Sequence, residues 1–273
     1  MEEKPRYTIP DVPEQLLSYM SMDDISELPV ELMSMGDSMA AAMLTQTKKI
    51  ISSVVEYKEL MMMYTCAMKE IRTKFEVLNA EFNVRYQRNP INFINARLKQ
   101  IASITEKMER QRIVFSLQNI EDYINDVAGV RVICSYADDI YVIADALKQQ
   151  DDIKLIDEKD YISNPKPNGY RSLHLIVSVP VFFSDKKKDV KVEVQIRTIA
   201  MDFWASLEHQ LKYKHQAVNE EQIIFELKNC ADVITNTDYR MLEIRKKIDA
   251  ASGEPTEEDI LFEKIRKISK PLE

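Results

Sequence analysis

Between residues 190 and 197 apolar and polar side chains alternate without a break. Val190, Val192, Val194 and Ile196 fall on one face, and Lys191, Glu193, Gln195 and Arg197 on the other. A period of two predicts a strand with one buried face. Upstream, residues 127–134 (VAGVRVIC) read as a buried strand with Asp126 at its start, and 153–157 as a short strand. The turn NPKPNG (164–169) precedes a strand YRSLHLIVSV (170–179), which places Tyr170, Ser172 and His174 on one side. SDKKKD (184–189) then joins that strand to 190–197 as a hairpin, its three lysines read as a solvated turn.

Elsewhere the period is helical. From about Met39 to Asn79, Leu44, Ile51, Val54, Val55, Met61, Met62 and Ile71 recur at three- and four-residue steps. Asn89-Pro90 looks like a helix start, and the pattern predicts one helix from Pro90 to about Gln111. On it Lys99, Ser103, Lys107 and Arg110 share a face, opposite Ile101, Ile104 and Met108. Helices are further predicted over 137–150, 198–213, 220–250 and 259–268, the second of these carrying an apolar stripe of Ala200, Phe203, Trp204, Leu207 and Leu211. The sum is an α/β (α+β) chain: a small mixed sheet with helices around it and long helices at both ends. Residues 1–37 read as an acidic, poorly ordered extension, 38–250 as a single domain, and 251–273 as a C-terminal tail or helix.

Composition narrows the chemistry. Four glycines in 273 residues form neither GxGxxG nor GxxxxGK[ST], so any phosphate must be held by side chains. The net charge of −8 is uneven. Residues 1–37 carry two basic against nine acidic residues, and residues 85–112 seven basic against two acidic. A local basic stretch in a near-neutral body suits a small, highly charged anion and not a nucleic acid, which needs a broad basic face. Cys66, Cys134 and Cys230 are far apart and read as reduced thiols. With no apolar run long enough to span a membrane and no secretory signal, the chain reads as cytoplasmic. HExxH, His-Asp and GxSxG are all absent, which leaves a zinc protease, an HD-type hydrolase and a serine nucleophile without support.

What remains is a pair of carboxylates. Asp126 and Glu193 come from two strands of one predicted sheet, and hard oxygen ligands of this kind suit Mg²⁺. Each has a plainer reading as well: Asp126 as a strand-start turn residue, Glu193 as an ion-pair partner of Lys191 or Arg197. Tyr170 follows a tight turn, where an exposed ring can stack on a base or simply pack.

Taken in order, RLKQIASITEKMER, DVAGVRV, DYISNPKPNGYRSLH and VEVQIRTIAMDFWASLEH resemble the synthetase domain of RelA/SpoT-type enzymes over about residues 50–250. The length and the lack of an HD motif are similar to the small alarmone synthetases. The resemblance implies a nucleotidyltransferase-like mixed β-sheet core flanked by helices. It implies Mg²⁺-dependent transfer of pyrophosphate from ATP to the 3′-hydroxyl of GDP or GTP, releasing AMP, in stringent-response signalling. The alternative is pyrophosphorylation of another 3′-hydroxyl, such as the tRNA 3′ end. By motif, Asp126 and Glu193 would hold the metal, with Glu193 activating the hydroxyl. Lys99, Ser103, Lys107 and Arg110 would meet the ATP phosphates, and Arg97 and Arg131 would flank adenine. Tyr170 would stack on guanine beside Lys159, Lys166, His174 and Gln195. A homotetramer is implied, with an allosteric alarmone cleft at Arg72, Lys74 and Phe93. Against that cleft, Glu76 stands where a basic residue is expected and Asp202 where an Asn is. Lys191 and Arg197 carry no role in this reading.

Overall fold

The computed structural model describes residues 37–214 and 220–251. The expectations for 1–36 and for a helix over 259–268 lie outside the described residues. The chain divides into two units, 1–58 and 59–273. Its elements run α1 (Asp37–Tyr86), β1 (Ile91–Leu98), α2 (Ile101–Arg110), α3 (Leu117–Tyr123), β2 (Ala128–Cys134), α4 (Ala137–Lys148), β3 (Lys154–Asp160), β4 (Leu173–Phe182), β5 (Lys187–Thr198), α5 (Ile199–Lys214) and α6 (Glu220–Ala251).

Five strands form one mixed sheet in the order β1-β2-β5-β4-β3. Only β2 and β5 are parallel, with Gly129 opposite Glu193 and Arg131 opposite Gln195. The alternation in β5 decides which face is buried. Val190, Val192, Val194 and Ile196 stack across the sheet on Val179, Val177, Leu175 and Leu173 of β4, and all eight are buried. Within the second unit, Leu60, Met63, Tyr64, Ala67, Met68, Ile71, Phe75 and Leu78 of α1 recur at helical spacing in the same apolar core. Ile104 and Met108 of α2, Ile120 of α3, and Ile140, Ile143 and Leu147 of α4 complete it. Among the described residues no helix is long and apolar enough to cross a membrane.

The expected helix from Pro90 to Gln111 is instead strand β1 followed by the shorter α2. Helix α1 ends where Gln87 takes a left-handed conformation (φ 49°), and Asn79 on α1 accepts a hydrogen bond from the Ile91 amide at 3.2 Å. A bulge between Ile91 and Phe93 shifts the β1–β2 register. Past it, Ile94 and Leu98 pack on the core while Asn95 and Arg97 face the other way. That bulge breaks the period-two signal, so the segment imitates a helix. Lys99 therefore precedes α2 rather than riding on it.

Three further expectations are corrected. Strand β4 begins at Leu173, so Tyr170 and Ser172 lie in its lead-in and not on the strand. Lys188 is not solvated but paired with Glu121 at 2.7 Å. On α5, Trp204 is buried, whereas Phe203, Leu207 and Leu211 are exposed.

The lead-in to β4 is fixed by Gly169. Its φ of +91° is strained for any L side chain, and a Cβ there would lie 2.5 Å from the Ala231 Cβ and 3.2 Å from the Lys228 Cα of α6. The loop thus touches α6 backbone-close, which only glycine permits. Gly169→Ala is expected to cost about 1–3 kcal/mol, read as a lower urea midpoint; an unchanged midpoint would mean that the loop is not held against α6.

Candidate functional site

The face of the sheet opposite the core carries a polar row that crosses every strand. Asn95 pairs with Arg131, Arg131 with Gln195, Gln195 with His174, and His174 with Lys159. Beside it runs a second row, in which Arg97 pairs with Gly129, Gly129 with Glu193 and Glu193 with Ile176. A cleft of about 290 Å³ opens over these rows, lined by Arg97, Lys99, Asp126, Gly129, Arg131, Glu193 and Gln195 among others. Gly129 leaves its floor open: a Cβ there would meet nothing closer than the Arg97 carbonyl, at 3.7 Å.

Asp126 is held by two cations, Lys99 at 2.8 Å on one oxygen and Lys107 at 2.7 Å on the other. Burial pushes its carboxyl upward, but the hydrogen bonds and charges of Lys107 and Lys99 outweigh burial and hold it below its ordinary value. Glu193 shows the same balance. Burial raises it, while His174 and Gln195 bond to its charged form and bring it below its ordinary value, against an opposing push from the Asp126 charge.

Glu193 belongs to a closed circuit of side chains. Its Oε1 lies 3.3 Å from His174 Nδ1, and His174 Nε2 lies 2.8 Å from the Tyr170 hydroxyl. Its Oε2 accepts from Gln195 Nε2 at 2.9 Å, and Gln195 Oε1 accepts from Arg197 Nη2 at 2.6 Å. The Arg197 guanidinium closes the circuit, 5.6 Å from the Tyr170 ring centroid. Neither of the simple ion pairs open to Glu193 forms. Lys191 donates instead to the Glu121 and Asp122 carbonyls at the C-terminus of α3, and Arg197 points to Gln195 and Asp202.

Tyr170 is half-buried rather than exposed at a strand edge. Lys166 Nζ sits 4.8 Å from its centroid and 4.6 Å from that of Tyr161, whose ring also meets His174 edge-on at 5.1 Å. Asp160 positions this aromatic group by accepting from the Ile162 and Ser163 amides and the Ser163 and Tyr141 hydroxyls.

The remaining expected residues are more scattered. Ser103 and Arg110 lie on the exposed side of α2 outside the cleft lining. Lys159, exposed, pairs with Asp157 at 3.1 Å. Arg72 pairs with Glu76 at 2.8 Å, Lys74 with Asp152 at 2.6 Å, and Phe93 is exposed on β1. The structure does not bring these three together with the cleft. Tyr161 and Asp160 have no place in the sequence reading, which leaves Arg197 without a role although it stands in the β5 alternation, and takes Asp202 only as an acid set against the supposed alarmone cleft.

Among the described residues no cluster of three or more His, Cys, Asp or Glu forms a metal cage. The donor set of Asp126 and Glu193 suits a hard cation that takes its other ligands from a phosphorylated substrate and water, as Mg²⁺ does.

Comparison with known proteins adds three findings. A family profile described as "Region found in RelA / SpoT proteins" matches residues 96–218. The GTP pyrophosphokinase YwaC of Bacillus subtilis is 42% identical over 194 residues, 71% of this chain and 92% of that protein. YjbM of the same organism, also named a GTP pyrophosphokinase, is 35% identical over 198 residues, 72% and 92%. Among solved structures, small alarmone synthetase 1 of B. subtilis bound to its product pppGpp aligns at a TM-score of 0.65 and 35% identity, over 71% of this chain and 98% of that one. Small alarmone synthetase 2 aligns at 0.64 and 42%, over 70% and 99%.

The depressed Asp126 carboxyl has a pH consequence. A group held lower in the folded than in the unfolded state stabilises above its unfolded value and loses that contribution as pH falls through the folded one. The urea midpoint of the wild type is therefore expected to exceed that of Asp126→Asn at pH 7. The gap should narrow as pH drops below about 4, the ordinary Asp range. A gap independent of pH would show that the two lysines do not stabilise the carboxylate.

Proposed function

This chain belongs to the RelA/SpoT synthetase family, within its small alarmone synthetase group, and from that premise we propose that it moves pyrophosphate from ATP to the 3′-hydroxyl of GDP or GTP. The products are AMP and guanosine tetra- or pentaphosphate. The observation that carries this reading is the convergence in one cleft of Asp126, gripped by two lysines, with Glu193, ionised and oriented by His174 and Gln195.

In the transfer the acceptor 3′-oxygen bonds to the β-phosphorus of ATP as the bond from that phosphorus to the α–β bridging oxygen breaks. Such chemistry rests on positioning and charge neutralisation rather than a covalent intermediate. Glu193 accepts the hydroxyl proton. Its lowered carboxyl is already ionised at neutral pH, and two side-chain hydrogen bonds fix the direction of its oxygens. Lys99 and Lys107, held at the cleft by Asp126, are in place to take phosphate oxygens. Ser103 and Arg110 extend that set from α2. Arg97 and Arg131, on facing strands at one side of the cleft, bracket the adenine. Tyr170 offers a ring to guanine, with two cations already against it, the exposed Lys166 and the buried Arg197. Lys159, His174 and Gln195 complete the acceptor side. Bound to Asp126 and Glu193, Mg²⁺ would neutralise phosphate charge and orient the transferred group.

Purified protein given ATP, Mg²⁺ and GDP or GTP should release AMP and a guanosine tetra- or pentaphosphate in equal amounts; no AMP with either acceptor would refute the reading. Glu193→Gln and Asp126→Asn should each slow AMP release about 100-fold or more with the circular dichroism spectrum unchanged. Tyr170→Ala should raise KM for the guanine nucleotide about 5- to 150-fold, the equivalent of one lost stacking contact. A KM increase for ATP instead would move Tyr170 to the other subsite.

A further inference from the structure

Asp202 sits in the first turn of α5, directly after β5. Thr198 sets its position: its hydroxyl accepts from the Met201 amide at 3.1 Å and donates to Asp238 of α6 at 2.7 Å. The turn that follows brings Asp202 back over the polar face of the sheet. There a single carboxylate oxygen, Oδ1, is shared by two guanidinium groups, Arg131 Nη1 at 3.3 Å and Arg197 Nη1 at 3.4 Å. Both distances exceed the 2.7–2.9 Å typical of a charge-assisted N–H···O bond. Two cations compete for one acceptor, and neither closes on it.

The two arginines lead to different places. Arg131 lines the cleft beside Arg97. Arg197, 2% exposed, lies against the Tyr170 ring and donates to Gln195, whose amide in turn faces Glu193. Burial of Arg197 disfavours its charge, and the neighbouring Arg131 adds to that, while Asp202 is among the groups that offset it. Among the described residues the buried Nε of each arginine finds no hydrogen-bond partner. Half of a shared carboxylate is thus thin compensation for a buried guanidinium.

We propose that Asp202 is a positioning residue that couples the two nucleotide subsites: when the donor nucleotide engages Arg131, the carboxylate passes wholly to Arg197 and firms Tyr170 and Gln195 for the acceptor. This inference rests on the nucleotide reading above, with Arg131 on the donor side and Tyr170 on the acceptor side. It adds that each substrate tightens the other, a coupling that must be reciprocal. It also gives the negative charge at position 202 a use.

The test is binding of GDP with Mg²⁺ by calorimetry, with and without an ATP analogue whose α- and β-phosphates are joined by methylene and which cannot release AMP. The wild type should bind GDP roughly 5-fold or more tightly in the presence of the analogue. In Asp202→Asn the ratio should fall to near one. Asp202→Asn leaves two cations without their acid and could weaken folding, so Arg197→Gln supplies a second measurement. It removes one buried cation, leaves Asp202 to Arg131, and should keep analogue affinity while losing the coupling. A wild-type ratio near one, or a wild-type ratio retained in either variant, would overturn the inference alone. Failure of the wild type to bind either nucleotide would instead overturn the nucleotide reading, and this inference with it.

Discussion

Everything at the site depends on the register of β5. It is the central strand, bonded to β2 on one side and β4 on the other, and its four aliphatic residues have only one face on which to be buried. Slipping by one residue would drive Lys191, Glu193, Gln195 and Arg197 into the apolar core and expose Val190, Val192, Val194 and Ile196. That exchange is too costly to occur. The hydrophobic pattern therefore does more than hold the fold together. It lines up four polar side chains on one ridge, and the pairing partners on β2 and β4 extend that ridge across the sheet.

Once there, the charges must satisfy one another. Glu193 and Arg197 are both largely buried, and a buried charge is tolerated only when it is paired or hydrogen-bonded. They are not paired directly. Gln195 stands between them, giving its NH₂ to the carboxylate and its carbonyl to the guanidinium. An amide in that position can point only one way, because both neighbours dictate it. The direction of the Glu193 oxygens is thus set by a cation four residues away in sequence that never touches them. Asp126 shows the complementary arrangement, a carboxylate in direct contact with its two lysines.

Much of this was legible from the sequence, and the reasons for what was not are physical. The strand 190–197 and the strand after Asp126 show a clean periodicity, so the sheet and its two carboxylates could be read directly. Residues 91–98 could not, because a bulge at Ile91/Phe93 breaks the alternation and Pro90 mimics a helix start. Tyr170 was placed on β4 because the turn NPKPNG hides where pairing begins; Gly169 is held by α6, whose Ala231 lies sixty-two positions away in the chain. The partners of Arg197 escaped for a similar reason. Gln195 lies beside it on the strand, but Asp202 is reached only after the chain turns into α5. Asp126 and Lys107, nineteen residues apart, meet because the segment between them folds back as α2 and α3. No local pattern records such returns.

Gly129 shows what the cleft asks of the rest of the molecule. It is the second residue of β2, paired between Arg97 and Glu193, has no positive φ to justify it, and would accept a Cβ without collision. A glycine inside a strand is about 0.5–1 kcal/mol worse than alanine. Folding alone would favour filling the position, and only the emptiness above it favours leaving it bare. Selection for greater robustness would thus tend to add a methyl group here and shrink the chamber. The protein's tolerance to heat and its room for a nucleotide are set against each other at a single hydrogen atom.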